Sequence, residues 1–440
     1  MAEGMKATTI VGIIIALLIG IGIGYGVAMA TIPRAPPPAP PAPPAKEVKI
    51  GVILPISGAL AATAEDLKRG IEFAVSEINE AGGIKSLDGA KIKIVYGDSE
   101  AEPSIGATEA ERLITTENVV AILGAYQSSV TKTVSSVCER YEVPMVNPDS
   151  TSPDLTERGL KWFFRTTAHD DPFCKQHFEF LDWLKSEYGV NITTVAVLCE
   201  DTEWGMGCYD RWQKYAAEFG YEVVAAITYH RGATSLDAEV GTLKAANPDV
   251  LFVAAYVTDG ILLQKTFKKL DFNPKAVIAM DAGYINPAFI EETGELSYYV
   301  FSREVFNWDL FEVVPKLAEK NAEYKAKYGV DFDGNSARDY TGMWTLYWAL
   351  EEAGKVAKPW EDLKAFRKAL RDALAELEIP AEELIMPWKG IKFDENGQNI
   401  LATGIIVQMS PEDGKYHTVW PREIATMDPI FPMPTWAERE

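Results

Sequence analysis

The sequence predicts an α/β protein built as two doubly wound lobes. Three observations carry this. Short apolar runs alternate with helix-length amphipathic segments from about residue 48 to residue 280. The helices between runs are long enough for the crossover that joins parallel strands. Hydroxyl residues gather directly after the apolar runs, where carboxyl ends of parallel strands form a ligand crevice.

Taken in order, residues 48–54 (VKIGVIL) form a β-branched run that reads as a first strand. In 60–81, Leu67, Ile71, Ala74, Val75 and Ile78 recur at helical spacing, and Gly82-Gly83 stops the helix. Strand 91–96, helix 103–115, strand 119–123, helix 129–141 and strand 143–146 complete one series. A second series runs helix 172–188, strand 194–199, helix 205–219, strand 222–227, helix 236–246, strand 250–254, helix 259–270 and strand 276–280. Helices over 310–328, 337–353 and 361–376 follow, then short strands near 391–393 and 401–409. The changed rhythm there suggests a chain returning to the earlier lobes.

Length and charge narrow the function. At 440 residues the chain has room for two or three cores. Hydrophobic content of 47% and charged content of 24% are those of a globular protein. A net charge of −22 argues against nucleic acid, whose phosphates require Lys and Arg. Cys138, Cys174, Cys199 and Cys208 form no CxxC pair, and the four His are scattered, which argues against a zinc site. Cys199 and Cys208 flank a short loop and could pair outside the cytoplasm, with Cys174 as a competing partner; free buried thiols are the alternative.

Residues 7–33 carry no charge, and the apolar run 9–30 has about the length of a membrane-spanning helix. Lys6 and the amino terminus place the start on the cytoplasmic side. A cleaved signal peptide ending at Ala28-Met29-Ala30 is the rival reading. The length of the uncharged run favours an uncleaved anchor over 1–32. A proline-rich linker over 33–46 follows, with eight prolines in its first twelve residues. At about 3.1 Å per residue in extended polyproline form, it would hold the body roughly 40 Å from the surface.

The crevice residues are read from LGAYQSSVT (123–131) and VPMVNPDSTSPDLT (143–156). Ser128, Ser129, Ser150 and Thr151 follow two successive strands and would share one mouth, beside helix N-termini that favour an anion. Helix capping is the plainer role for such hydroxyls.

GVILPISGALAATAEDLKRGIEFAVSEINEAGGI, followed by these two blocks and FRTT, resembles the type I solute-binding proteins of branched-chain amino-acid ABC transporters, from about residue 48 to 409. The resemblance implies the type I periplasmic binding protein fold: two Rossmann-like lobes joined by three crossovers. Lobe 1 would be 47–167 plus 300–396, and lobe 2 would be 168–299 plus 397–440. It implies a ligand carboxylate held by Ser128 and by Thr151, whose hydroxyl also serves the ligand ammonium. It also implies an ammonium received by the Asp149 backbone and the Asp281 carboxylate, with Tyr256 and Trp204 closing from lobe 2. Asp281 is shorter than the Glu usual among branched-chain binders, Asp149 adds a charge, Trp204 replaces a Tyr and Tyr126 adds bulk. The ligand side chain could therefore differ from leucine, isoleucine or valine. An amide, urea or aromatic acid remains an alternative.

The implied partners are a small-molecule ligand, ABC permease and ATPase subunits, and the membrane through the anchor, with the body outside the cytoplasm. No cofactor, metal or nucleic acid is implied. A signalling receptor on the same fold is a second class. An enzyme has little support, since GxSxG, HExxH and P-loop patterns are missing from the sequence. Glu200, Asp201 and Glu203 read as a solvated acidic loop, and Asn191-Ile192-Thr193 is a glycosylation sequon.

Overall fold

The computed structural model describes Ile14, Ile15, residues 17–19 and residues 46–439. The chain divides into two compact units, Met1–Pro44 and Ala45–Glu440. In the first, the five described residues are helical, with exposed side chains. The remainder of the expected anchor, and the linker up to residue 45, lie outside the described residues. Among the described residues no helix is long and apolar enough to cross a membrane.

The second unit begins with β1 (Glu47–Leu54), α1 (Ala61–Glu80), β2 (Lys91–Asp98), α2 (Pro103–Thr115), β3 (Ala121–Gly124) and α3 (Ser128–Tyr141). β4 (Met145–Asn147), the single-turn α4 (Asp154–Glu157) and β5 (Phe163–Arg165) follow. The strands make a parallel sheet in the order β2-β1-β3-β4-β5. Every residue of β3 (AILG) is buried, as expected of a parallel strand covered on both faces. The strand order reverses between β1 and β3, so the crevice opens there.

The chain then passes to a second layer: α5 (Asp170–Tyr188), β6 (Thr194–Glu200), α6 (Glu203–Phe219), β7 (Glu222–Tyr229) and α7 (Asp237–Ala246). β8 (Val250–Ala254), α8 (Val257–Lys269), β9 (Ala276–Met280), α9 (Pro287–Thr293) and β10 (Phe301–Glu304) continue it. α10 (Pro315–Tyr328), α11 (Gly334–Val356) and α12 (Leu363–Ala375) return to the first layer. There Phe73 of α1 meets the rings of Tyr324, Phe332 and Tyr340 at 5.4, 5.9 and 5.7 Å. Gly70 lets α1 and α11 approach: a Cβ there would lie 2.1 Å from the Ser336 carbonyl oxygen. After the small hairpin β11 (Glu378–Pro380) and β12 (Gly390–Lys392), the chain crosses a third time. β13 (Ile405–Met409) and β14 (Tyr416–Trp420) then join the second sheet, ordered β14-β13-β10-β9-β8-β6-β7.

Some segments differ from the sequence-based expectation. Residues 301–304, expected in lobe 1, pair with β9 and β13 in the seven-stranded sheet, so the return to the first layer starts after Glu304. Strand β14 was not expected, and β13 and β14 are antiparallel at the edge of an otherwise parallel sheet. The helix expected from residue 310 starts at Pro315, whose ring favours a first helical position. The helix expected from residue 337 starts at Gly334, because Asp333 and Ser336 form a reciprocal capping box. Cys138, Cys174, Cys199 and Cys208 are buried and free, so the Cys199–Cys208 pairing is not formed.

Candidate functional site

Loops at the carboxyl ends of both sheets face one another and enclose a cavity. Its walls are Tyr126, Ser128, Asp149, Ser150, Thr151, Trp204, Tyr256, Asp281, Ala282 and Arg338. Eight of these were singled out from the sequence. Ser129 is half-buried on α3 and is not in the wall. Ala282 and Arg338 were not anticipated.

From the first layer, Tyr126 follows β3 with a φ of 70°, a left-handed conformation unfavourable for a bulky side chain. Asp281 and Ala282, after β9, also have positive φ, at 34° and 46°. Backbone strain of this kind gathers where a site must aim its groups. Ser128 is the first residue of α3, not its cap; Gln127 holds the cap position and its side chain makes no capping bond. The Ser128 hydroxyl instead accepts from the Ser152 N–H at 3.3 Å.

Ser150 is used inward. Its hydroxyl donates to the Tyr126 carbonyl at 2.8 Å, lies 2.6 Å from the Thr131 hydroxyl and accepts from Asn147 Nδ2 at 3.1 Å. It therefore pins the β3–α3 loop to the β4–α4 loop. Arg165, fully buried, donates to the Ser150 and Ser152 carbonyls at 3.1 and 2.6 Å and holds the same loop from behind. Burial lowers its pKa to about 9.

From the second layer, Trp204 enters at the start of α6, where the Thr202 hydroxyl caps the helix by accepting from the Gly205 N–H. Tyr256 precedes α8, and its N–H donates to Glu200 Oε2 at 3.3 Å. Glu200 is thus a buried structural acid, not part of a solvated loop, and burial pushes it up to about 8. The Tyr256 ring lies 5.0 Å from Trp204 and 6.0 Å from Tyr126, so aromatic surface spans both layers.

The charged side of the cavity is a network. Arg338, in the early turns of α11, donates from Nε to Asp149 Oδ1 at 3.1 Å. Its Nη1 donates to Asp281 Oδ2 at 3.0 Å and its Nη2 to Asn335 Oδ1 at 2.8 Å. Arg303 of β10 donates to the same Asp281 oxygen at 2.6 Å. Burial works against the Arg338 charge, but Glu304, Asp281 and Asp149 together hold its pKa above the ordinary value. Burial pushes Asp149 up to about 6 despite the pull of Arg338.

Ties across the cleft draw the layers together. Lys132 of α3 donates to both oxygens of Glu203 on α6 at 2.8 Å, and Asn286 Nδ2 donates to the Thr63 hydroxyl at 3.0 Å. The space left inside is about 20 Å³, room for about one water. A solute of amino-acid size enters only as the layers part or the walls turn aside.

A family model described as periplasmic binding protein matches residues 47–415. Leu/Ile/Val-binding protein homolog 7 of Brucella suis biovar 1 (strain 1330) is 30% identical over 397 residues, covering 88% of this chain and 94% of its own. A leucine binding protein of Thermotoga maritima MSB8 superposes with a TM-score of 0.71 at 24% identity, over 84% of this chain and 97% of its own. A solute binding protein of an ABC transporter from Rhodopseudomonas palustris BisB5, solved in complex with 3,4-dihydroxy benzoic acid, superposes with a TM-score of 0.69. Its identity is 20%, over 84% of this chain and 95% of its own. At these identities the two structures show a shared fold.

Proposed function

The chain belongs to the periplasmic binding protein family, and from there we propose that it is the extracytoplasmic solute receptor of an ABC importer. Its ligand is a small carboxylate solute bound in the cleft between the two sheet layers. The observation that carries this is the convergence of Ser128 and Thr151 from one sheet with Trp204 and Tyr256 from the other on a single cavity. Hydroxyls beside the start of α3 suit a carboxylate, and the aromatic surface opposite suits an apolar or aromatic body. The relatives' names, which cite leucine, isoleucine and valine, support an amino acid as the solute. A second reading, an organic acid without an ammonium group, is favoured by Arg338 lying against Asp149 and Asp281.

In this proposal the uncharged segment within 1–32 tethers the body and the proline-rich segment spaces it from the membrane. Solute binding favours the closed arrangement because both layers touch the solute only when closed. The test is a thermal-shift screen of the full-length chain against amino acids, amides and organic acids. A true ligand at a hundred times its Kd adds about 2.7 kcal/mol of stability and raises the melting temperature. A flat response across the carboxylates at millimolar concentration would reject the receptor reading.

A further inference from the structure

Arg338 bears on which carboxylate the cleft accepts. It sits near the amino-terminal end of α11, where the helix dipole disfavours a cation, yet it is 2% exposed. Its guanidinium bonds the side chains of Asp149 and Asp281, and the family resemblance assigns a ligand ammonium to the Asp281 carboxylate together with the Asp149 backbone and the Thr151 hydroxyl. Arg303 meets the same Asp281 oxygen. Three further buried acids stand close: Glu304, 4.0 Å from Arg338 Nη1, Asp170, 3.9 Å from Arg303 Nη2, and Asp339 beside Asp149. Burial pushes Glu304 up to about 7, Asp170 up to about 6 and Asp339 well above the ordinary carboxylate value. Two guanidinium groups therefore already answer the Asp281 carboxylate, and they stand where an ammonium would have to approach it. Like charges brought together in a buried site repel strongly, whereas a carboxylate gains from the same field.

Resting on the receptor reading above, we propose that Arg338 is a specificity residue that makes this cleft select carboxylates lacking an α-ammonium over amino acids of the same skeleton. The guanidinium takes the place of the ligand ammonium inside the protein. Ser128 and Thr151 receive the carboxylate beside the Arg338 guanidinium, and Tyr126, Trp204 and Tyr256 receive the apolar body.

The test uses the full-length chain and ligand pairs that differ in the ammonium: isocaproate against leucine, and hydrocinnamate against phenylalanine, by calorimetric titration. The expected result is about tenfold or tighter binding of the deaminated member in each pair. Arg338→Lys, which keeps the charge, should retain that preference, and Arg338→Gln should narrow or reverse it. Tighter binding of the amino acid by the wild-type chain overturns this charge rule and leaves the receptor reading standing. Silence from both pairs, and from every other carboxylate screened, overturns the receptor reading itself. The wild-type comparison decides the matter even if a variant fails to fold.

Discussion

Asp281 shows how one side chain serves both structure and recognition. It follows β9 in a strained backbone conformation and neutralises Arg303 and Arg338, both almost fully buried. Removing one member of a buried charge cluster leaves its partners uncompensated, which costs more than the pair contributes. Asp281→Asn should therefore destabilise the unliganded chain by about 3–5 kcal/mol, read from denaturant unfolding. A loss confined to solute binding, with unfolding unchanged, would mean that the arginines are satisfied elsewhere. Ser128 and Ser129 make a related point. Consecutive helical residues are about 100° apart around the axis, so adjacent hydroxyls cannot both face the cavity. The composition of the mouth is legible in the sequence, but the choice between neighbours depends on the angle at which α3 enters.

At the scale of elements, packing of α5 and α6 on β8 gives a pH-dependent term. His177 of α5 is fully buried between Trp212 and Phe252, with ring centroids at 5.9 and 5.6 Å. Its Nδ1 accepts from Trp212 Nε1 at 3.0 Å, and burial lowers its pKa to about 3. In the unfolded chain a histidine titrates near 6.5. Between those values the unfolded state binds the extra proton. The stabilisation is complete above about pH 6.5 and is lost as pH falls toward 3, at up to ~1.4 kcal/mol per pH unit. His177→Gln should flatten the fall in stability between pH 6.5 and pH 4; parallel profiles for the two proteins would contradict this. Element legibility follows the same physics. Strands 250–254 and 276–280 match β8 and β9 residue for residue, because buried parallel strands are continuous apolar runs. β10 was missed because its sequence, FSRE, hides Arg303 and Glu304 within the fold. Arg338 escaped notice because a basic residue in a helix reads as solvated until tertiary contacts bury it.

Across the second unit, the switch points of two sheets are brought mouth to mouth, and the network of Arg303, Arg338 and Asp281 joins β10 and the end of β9 in one layer to α11 in the other. The ties from Lys132 to Glu203 and from Asn286 to Thr63 hold the layers in contact. A solute that bridges Ser128 and Trp204 would extend that contact inward, which is the energetic basis for closure on a ligand. The most direct measurement is a calorimetric titration of wild-type and Ser128→Ala full-length chains with the tightest-binding carboxylate. Loss of a hydrogen bond to a charged group predicts about tenfold to a hundredfold weaker binding by the variant, with its unliganded melting temperature lowered because the buried Ser152 N–H loses its acceptor. Equal affinity of the two proteins would place the solute outside this cleft and contradict the account.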